Sequence, residues 1–157
     1  MLTSCYFESN HQDEGINLSQ IINPNVPGKE RARLKKGIAL ALRELMKENE
    51  PNAQTRDLVA FISLALDGIK RTVEITAVAW EKRNYWLKAD RFRREWAWAD
   101  ALSKEFRPLV LAKDWDSIAL SSAKLYQHVK EIKISEKHRM GKPWIGAWEK
   151  LMSDVSD

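Results

Sequence analysis

A chain of 157 residues, 44% of them hydrophobic and 31% charged, is long and apolar enough for one domain with a packed core, and its six Gly and five Pro exclude collagen-like or low-complexity architecture. A single cysteine, Cys5, excludes an internal disulfide and a cysteine-based zinc site. The formal charge of +4 is unevenly spread: residues 1–27 hold Glu8, Asp13 and Glu14 and no Lys or Arg, a charge of −3 that leaves +7 for the remainder.

Residues 1–27 are rich in Asn, Gln, Ser and acids, with a brief apolar patch at Ile16, Leu18, Ile21 and Ile22 before Asn23-Pro24 and Pro27-Gly28. They read as a flexible or loosely docked N-terminal arm ahead of a single helical-bundle domain over residues 28–157. From residue 29 to about 48, Leu34, Ile38, Ala41, Leu42 and Leu45 recur at three- and four-residue spacing, the period of one helix face. The opposite face carries Lys29, Arg33, Lys36, Arg43 and Lys47, with Leu40 as an apolar intruder. This helix stops before Pro51, because the residue preceding proline is pushed out of helical geometry.

Asn52 or Thr55 is suited to cap the next helix, whose stripe runs through Leu58, Ile62, Ala65, Ile69, Val73, Thr76 and Trp80, and Leu87 still falls on that line. After about Arg83 a different line takes over, through Tyr85, Ala89, Phe92, Trp96, Ala99, Ser103 and Phe106. At 100 degrees per residue the two lines lie more than a quarter turn apart, so a break near residues 83–85 is expected, with Asn84 as pivot because it tolerates left-handed backbone. The competing picture is one continuous rod whose halves grip different neighbours. Pro108 is expected to start a new short segment. Asp114 or Asp116 then caps a helix with the inward line Ile118, Ser122, Leu125, Val129 and Ile132. A basic loop over residues 137–142 follows. Pro143 suits the first position of a final helix whose apolar edge is Trp144, Trp148, Leu151 and Val155. With no sustained alternating pattern, the fold class is all-α, a bundle of four to five helices.

The search for catalytic chemistry returns little. The three histidines, His11, His128 and His138, form no His-His or Cys-His metal motif, although Glu8 and Glu14 lie three residues from His11 and Glu131 three from His128. No Gly-rich phosphate loop, Gly-x-Ser-x-Gly elbow or HExxH motif occurs. The expectation is therefore a protein that binds rather than catalyses, with no cofactor and no metal. No run approaches the roughly 20 apolar residues that span a bilayer, and the first residues lack a basic n-region and an apolar h-region. A cytoplasmic protein without a membrane partner is expected.

The densest cationic segment lies between positions 82 and 94, where Lys82, Arg83, Lys88, Arg91, Arg93 and Arg94 face only Asp90. Among the seven tryptophans, Trp80, Trp96, Trp144 and Trp148 fall on apolar stripes, and Trp115 sits at a helix start. Trp86 and Trp98 fall off the second stripe, and Arg94 precedes Trp98 by four residues, a separation at which guanidinium and indole can stack. Interleaved cations and rings suit single-stranded nucleic acid, with Lys and Arg on phosphates and exposed rings on bases. They also suit a protein interface, where Trp and Arg are favoured anchors. A third reading leaves the rings buried and the arginines in ordinary pairs with Asp90 and Glu95.

The expected phosphate contacts are Lys82, Arg83, Lys88, Arg91, Arg93 and Arg94, with Lys36 and Arg43 from the first helix, while Trp86 and Trp98 supply stacking or interface contacts. The expected partners are RNA or single-stranded DNA and other protein subunits, bound without sequence specificity because phosphate contacts position a strand without reading it. In size, helical pattern, basic bias and lack of catalytic motifs, the chain resembles the small all-helical subunits of CRISPR effector complexes. That resemblance implies a ribonucleoprotein subunit lying along nucleic acid. The alternative is a protein adaptor or homodimerisation module with a Trp and Arg interface.

Overall fold

The computed structural model describes residues 25–157, so residues 1–24, which make up most of the expected arm, lie outside the described residues. Six helices and no strand occur among the described residues: α1 (Asn25–Leu45), α2 (Ala53–Glu81), α3 (Trp86–Glu95), α4 (Ala97–Ala112), α5 (Trp115–Val129) and α6 (Ala147–Ser156). The all-α bundle expected from the periodicity is what forms. Residues 25–27, read as arm, instead sit in the first turn of α1, where Pro27 costs no intrahelical hydrogen bond.

Helix α2 is the axis of the fold, about 43 Å long at 1.5 Å per residue, with α1, α3, α4 and α6 packed on it and α5 closing the bundle between α4 and α1. Asn52 caps it: its side chain accepts from Thr55 N at 3.0 Å, and Thr55 Oγ1 accepts from Asn52 N at 2.6 Å. Two glycines lie where α1 and α2 approach closely. A Cβ at Gly68 would lie 2.7 Å from Leu34 Cδ1, and one at Gly37 would lie 2.9 Å from the Phe61 ring. The core is built from Ile38 and Leu42 of α1, Leu58, Ile62, Leu66 and Ile69 of α2, Phe106 and Val110 of α4, Leu125 of α5 and Leu151 of α6. Leu40 is buried as well, since α1 is covered by α2 on one side and by α5 on another.

The chain breaks at the expected pivot rather than continuing as a rod. Asn84 has φ +65°, and the N–H of Tyr85 reaches back to the Trp80 carbonyl while that of Asn84 reaches Glu81, a Schellman ending. A second break, at Trp96, was not legible in the apolar stripe; it separates α3 from α4 by one non-helical residue. Pro108 does not start a segment. It lies exposed inside α4, on the solvent side where a freed carbonyl can be hydrated, and the helix runs on to Lys113, whose φ of +54° ends it. Helix α5 is capped by Asp114, which accepts from Ser117 N at 3.3 Å. It buries Ser121 rather than Ser122 fully, and Ile132 falls beyond its end.

The final helix starts at Ala147, not at Pro143, because Gly146 adopts φ +78°, outside right-handed helical geometry; the glycine itself offers no side-chain cap. The cap comes from α2. The Asp57 carboxylate accepts from Trp148 N at 3.0 Å and Gly146 N at 3.4 Å. Trp144 and Leu151 are buried as expected, whereas Val155, the last of that edge, is exposed.

Candidate nucleic-acid interface

The corner between α2 and α3 gathers most of the cationic segment. Its left-handed residue turns the chain so that Tyr85, Trp86 and Leu87 leave the surface together, at 56%, 60% and 80% exposure. On α3, Ala89 and Phe92 face the bundle, which puts Leu87, Arg91 and Arg94 along the opposite, solvent side at helical spacing. Tyr85, placed on the inward stripe by its spacing, is exposed because it precedes the helix and does not share its phase, and Leu87, which falls on the apolar line of α2, is exposed because the turn at Asn84 ends that line.

The six cations of this segment do not behave alike. Lys82, Arg83 and Arg91 are exposed, and among the described residues no carboxylate pairs with them. Lys88 places its ammonium 4.4 Å from the Trp80 ring centre. Arg94 pairs with Asp90 one turn earlier, an exposed pair of small energetic worth that leaves the guanidinium at the surface. Arg93 is spent inside the molecule: Nε and Nη2 donate to Glu74 at 3.0 and 2.8 Å, and Nη1 donates to Glu81. These bonds raise the guanidinium pKa and hold the Glu74 carboxyl below its ordinary range. Arg93 therefore clamps α3 onto α2. Of the two α1 residues expected to join the site, Lys36 is exposed midway along the helix. Arg43 lies near the far end, about 27 Å from Asn25 along the axis, where its guanidinium donates to the Ile134 carbonyl at 3.4 Å and holds the loop before α6.

Trp98 is likewise engaged within the fold. Its ring stacks on His128 of α5 at 4.4 Å between centres and 5° between planes, and packs at 5.7 Å from Trp96. The expected Arg94–Trp98 stack does not form: the break at Trp96 disrupts the helical register on which a four-residue spacing depends. Lys35 reaches the same rings from α1, 5.4 Å from Trp96 and 6.0 Å from Trp98. Burial, and then the Lys35 charge, lower the His128 pKa.

Sequence reasoning missed Arg31. It is only 9% exposed, with Nη1 donating to Thr72 and Thr76 Oγ1 at 3.4 Å each and its guanidinium 4.7 Å from Phe92 and 5.2 Å from Trp96. Desolvation lowers its pKa. The signal was present, since Arg31 continues the apolar stripe of Leu34, Ile38 and Leu42 one turn backwards. Arg31 and Lys35 bind the aromatic row of α3 and α4 to α1, making a rigid wall behind the exposed corner.

Among the described residues no group of three or more His, Cys, Asp or Glu side chains is placed to hold a metal ion, and no helix is long and apolar enough to cross a membrane. No protein-family model matches the chain, and neither the curated proteins nor the solved structures contain a match to it.

Proposed function

We propose that this protein is a non-catalytic helical module that holds single-stranded nucleic acid, RNA or DNA, on the α2–α3 corner by its phosphates and unpaired bases. The observation that carries the reading is the exposed Tyr85 and Trp86 pair flanked by Lys82, Arg83 and Arg91, three cations without a carboxylate partner among the described residues. Exposed cations gain most from phosphate, because no ion pair among the described residues has to be surrendered. Rings stack on any base with about 1 to 3 kcal/mol each, which fits binding without sequence preference. Arg93, Arg43 and Trp98, already engaged inside the fold, are left out of the contact set. Lys88 and Arg94 join it from the rim. A holder of this kind would work beside other protein subunits in a ribonucleoprotein, as the resemblance to small helical subunits of CRISPR effector complexes implies.

Fluorescence anisotropy with a labelled oligonucleotide tests this. Affinity should fall steeply with salt, drop on Trp86→Ala, and drop further on joint reversal of Lys82, Arg83 and Arg91 to Glu with helicity unchanged. Absence of binding to RNA and to single-stranded DNA at low salt refutes the reading. One observation favours a second: Leu87, the most exposed large apolar side chain of the corner, has no role against a phosphate backbone and suits a protein partner. That reading predicts self-association or subunit capture that Leu87→Ser abolishes, read by light scattering.

A further inference from the structure

The corner has a candidate occupant in the chain itself. Residues 1–24 carry Glu8, Asp13 and Glu14 and no Lys or Arg, and they hold two apolar patches, Met1, Leu2, Tyr6 and Phe7 at the start and Ile16, Leu18, Ile21 and Ile22 next to α1. The α2–α3 corner has the complementary character, cationic at Lys82, Arg83 and Arg91 and apolar at Tyr85, Trp86 and Leu87. Where the described chain begins decides the reach. Arg31 touches Thr72 and Thr76 near the end of α2 and Phe92 of α3, so α1 runs antiparallel to α2 with its start towards the last turns of α2. Asn25 lies about 9 Å further along the axis in that direction. Ile21 and Ile22 are then three or four residues from Asn25, at most about 14 Å of extended chain, and Asp13 and Glu14 at most about 43 Å.

We propose that residues 1–24 occupy the α2–α3 corner within the same molecule and compete with a polyanion for it. The proposal rests on the reading of that corner as the nucleic-acid site and adds its regulation. The patch of Ile16, Leu18, Ile21 and Ile22 covers Trp86 and Leu87, while Glu8, Asp13 and Glu14 pair with Lys82, Arg83 and Arg91. An incoming strand must displace three carboxylates, so only ligands with several adjacent phosphates gain access. A nucleoside monophosphate or inorganic phosphate does not. A second surface within reach is the cleft of about 580 Å³ between α1 and α6, floored by Phe61 and Leu64 and edged by Arg71 and Lys150. Its cations are interspersed with Glu30 and Asp154, which makes it the weaker match for an acid-only segment.

Cys5, the single cysteine of the chain, allows a direct test in the intact protein. A nitroxide attached there should broaden the amide resonances of residues 82–91 and the Trp86 indole N–H, and a short single-stranded oligonucleotide should reverse the broadening. In the full chain, Glu8→Gln with Asp13→Asn and Glu14→Gln should tighten oligonucleotide binding about tenfold at low salt, the summed effect of three screened ion pairs, with no difference at high salt. Broadening centred on the α1–α6 cleft, or none at the corner, with oligonucleotide binding retained, overturns the self-contact and leaves the nucleic-acid reading standing. Broadening that appears only between labelled and unlabelled molecules in a mixture assigns the contact to a second copy and overturns the intramolecular proposal. Corner broadening in a protein that binds no oligonucleotide, with or without the three neutral side chains, overturns the competition and the nucleic-acid reading together.

Discussion

Removing the Asp57 carboxylate should unfasten the C-terminal helix, although 91 residues of sequence separate Asp57 from Trp148. Helix α6 begins at a glycine with no side chain to cap it, so its first N–H groups depend on α2: Trp148 N at 3.0 Å and Gly146 N at 3.4 Å from the two Asp57 oxygens. Loss of an N-cap acceptor costs about 1 kcal/mol. Loss of a negative charge at a helix N-terminus costs about 0.5 kcal/mol more. Asp57→Ala should therefore destabilise the protein by about 1.5 kcal/mol, which for a domain of this size lowers the melting temperature by about 5 °C. Asp57→Asn keeps an acceptor oxygen and discards the charge, so it should lose less than half as much. Calorimetry reads the stability, and amide exchange at residues 147–150 locates the effect. An alanine variant that melts with the parent and shows unchanged exchange in α6 would refute the capping argument; an asparagine variant as damaged as alanine would assign the effect to charge instead.

Three further outcomes follow from the packing and the charges. Gly37→Ala should destabilise by about 1 to 3 kcal/mol, because its methyl meets the stiff Phe61 ring at 2.9 Å, whereas Gly68→Ala meets only the movable end of Leu34 and gains helix propensity, so it should stay within about 1 kcal/mol of the parent; matching losses in chemical denaturation would contradict this. Arg93→Gln should lower stability by about 1 kcal/mol through its bonds to Glu74 and Glu81 while leaving the salt slope of oligonucleotide binding unchanged, and Arg91→Gln should do the reverse, reducing that slope by about 1. Because the folded His128 has a pKa below its ordinary value of 6.5, the unfolded chain takes up the proton first; its contribution to stability is complete above that pH and declines as pH falls through it. His128→Gln should flatten the melting temperature against pH in that range, and a parent more stable at pH 5.5 than at pH 7.5 would overturn the assignment.

The helical class, the left-handed turn at Asn84, the capping residues Asn52 and Asp114 and most of the buried stripe could be read from spacing and residue type, because local backbone preferences and a 3.6-residue period are properties of neighbouring residues. The density of cations between positions 82 and 94 was equally plain. Their individual roles were not. Arg93 became a clamp, Arg43 a loop anchor and Trp98 a partner of His128 because each met a group far away in sequence: Glu74 and Glu81, the Ile134 carbonyl, the His128 ring. Lys82, Arg83, Arg91 and Trp86 met no such partner among the described residues and remained at the surface. Composition and period thus determined that this chain would be a helical bundle with a cationic, aromatic middle. Only the docking of α3 on α2 and of α4 against α5 decided which of those groups stay available to a ligand, since whether a charge is free depends on what lies within a few ångströms of it in space.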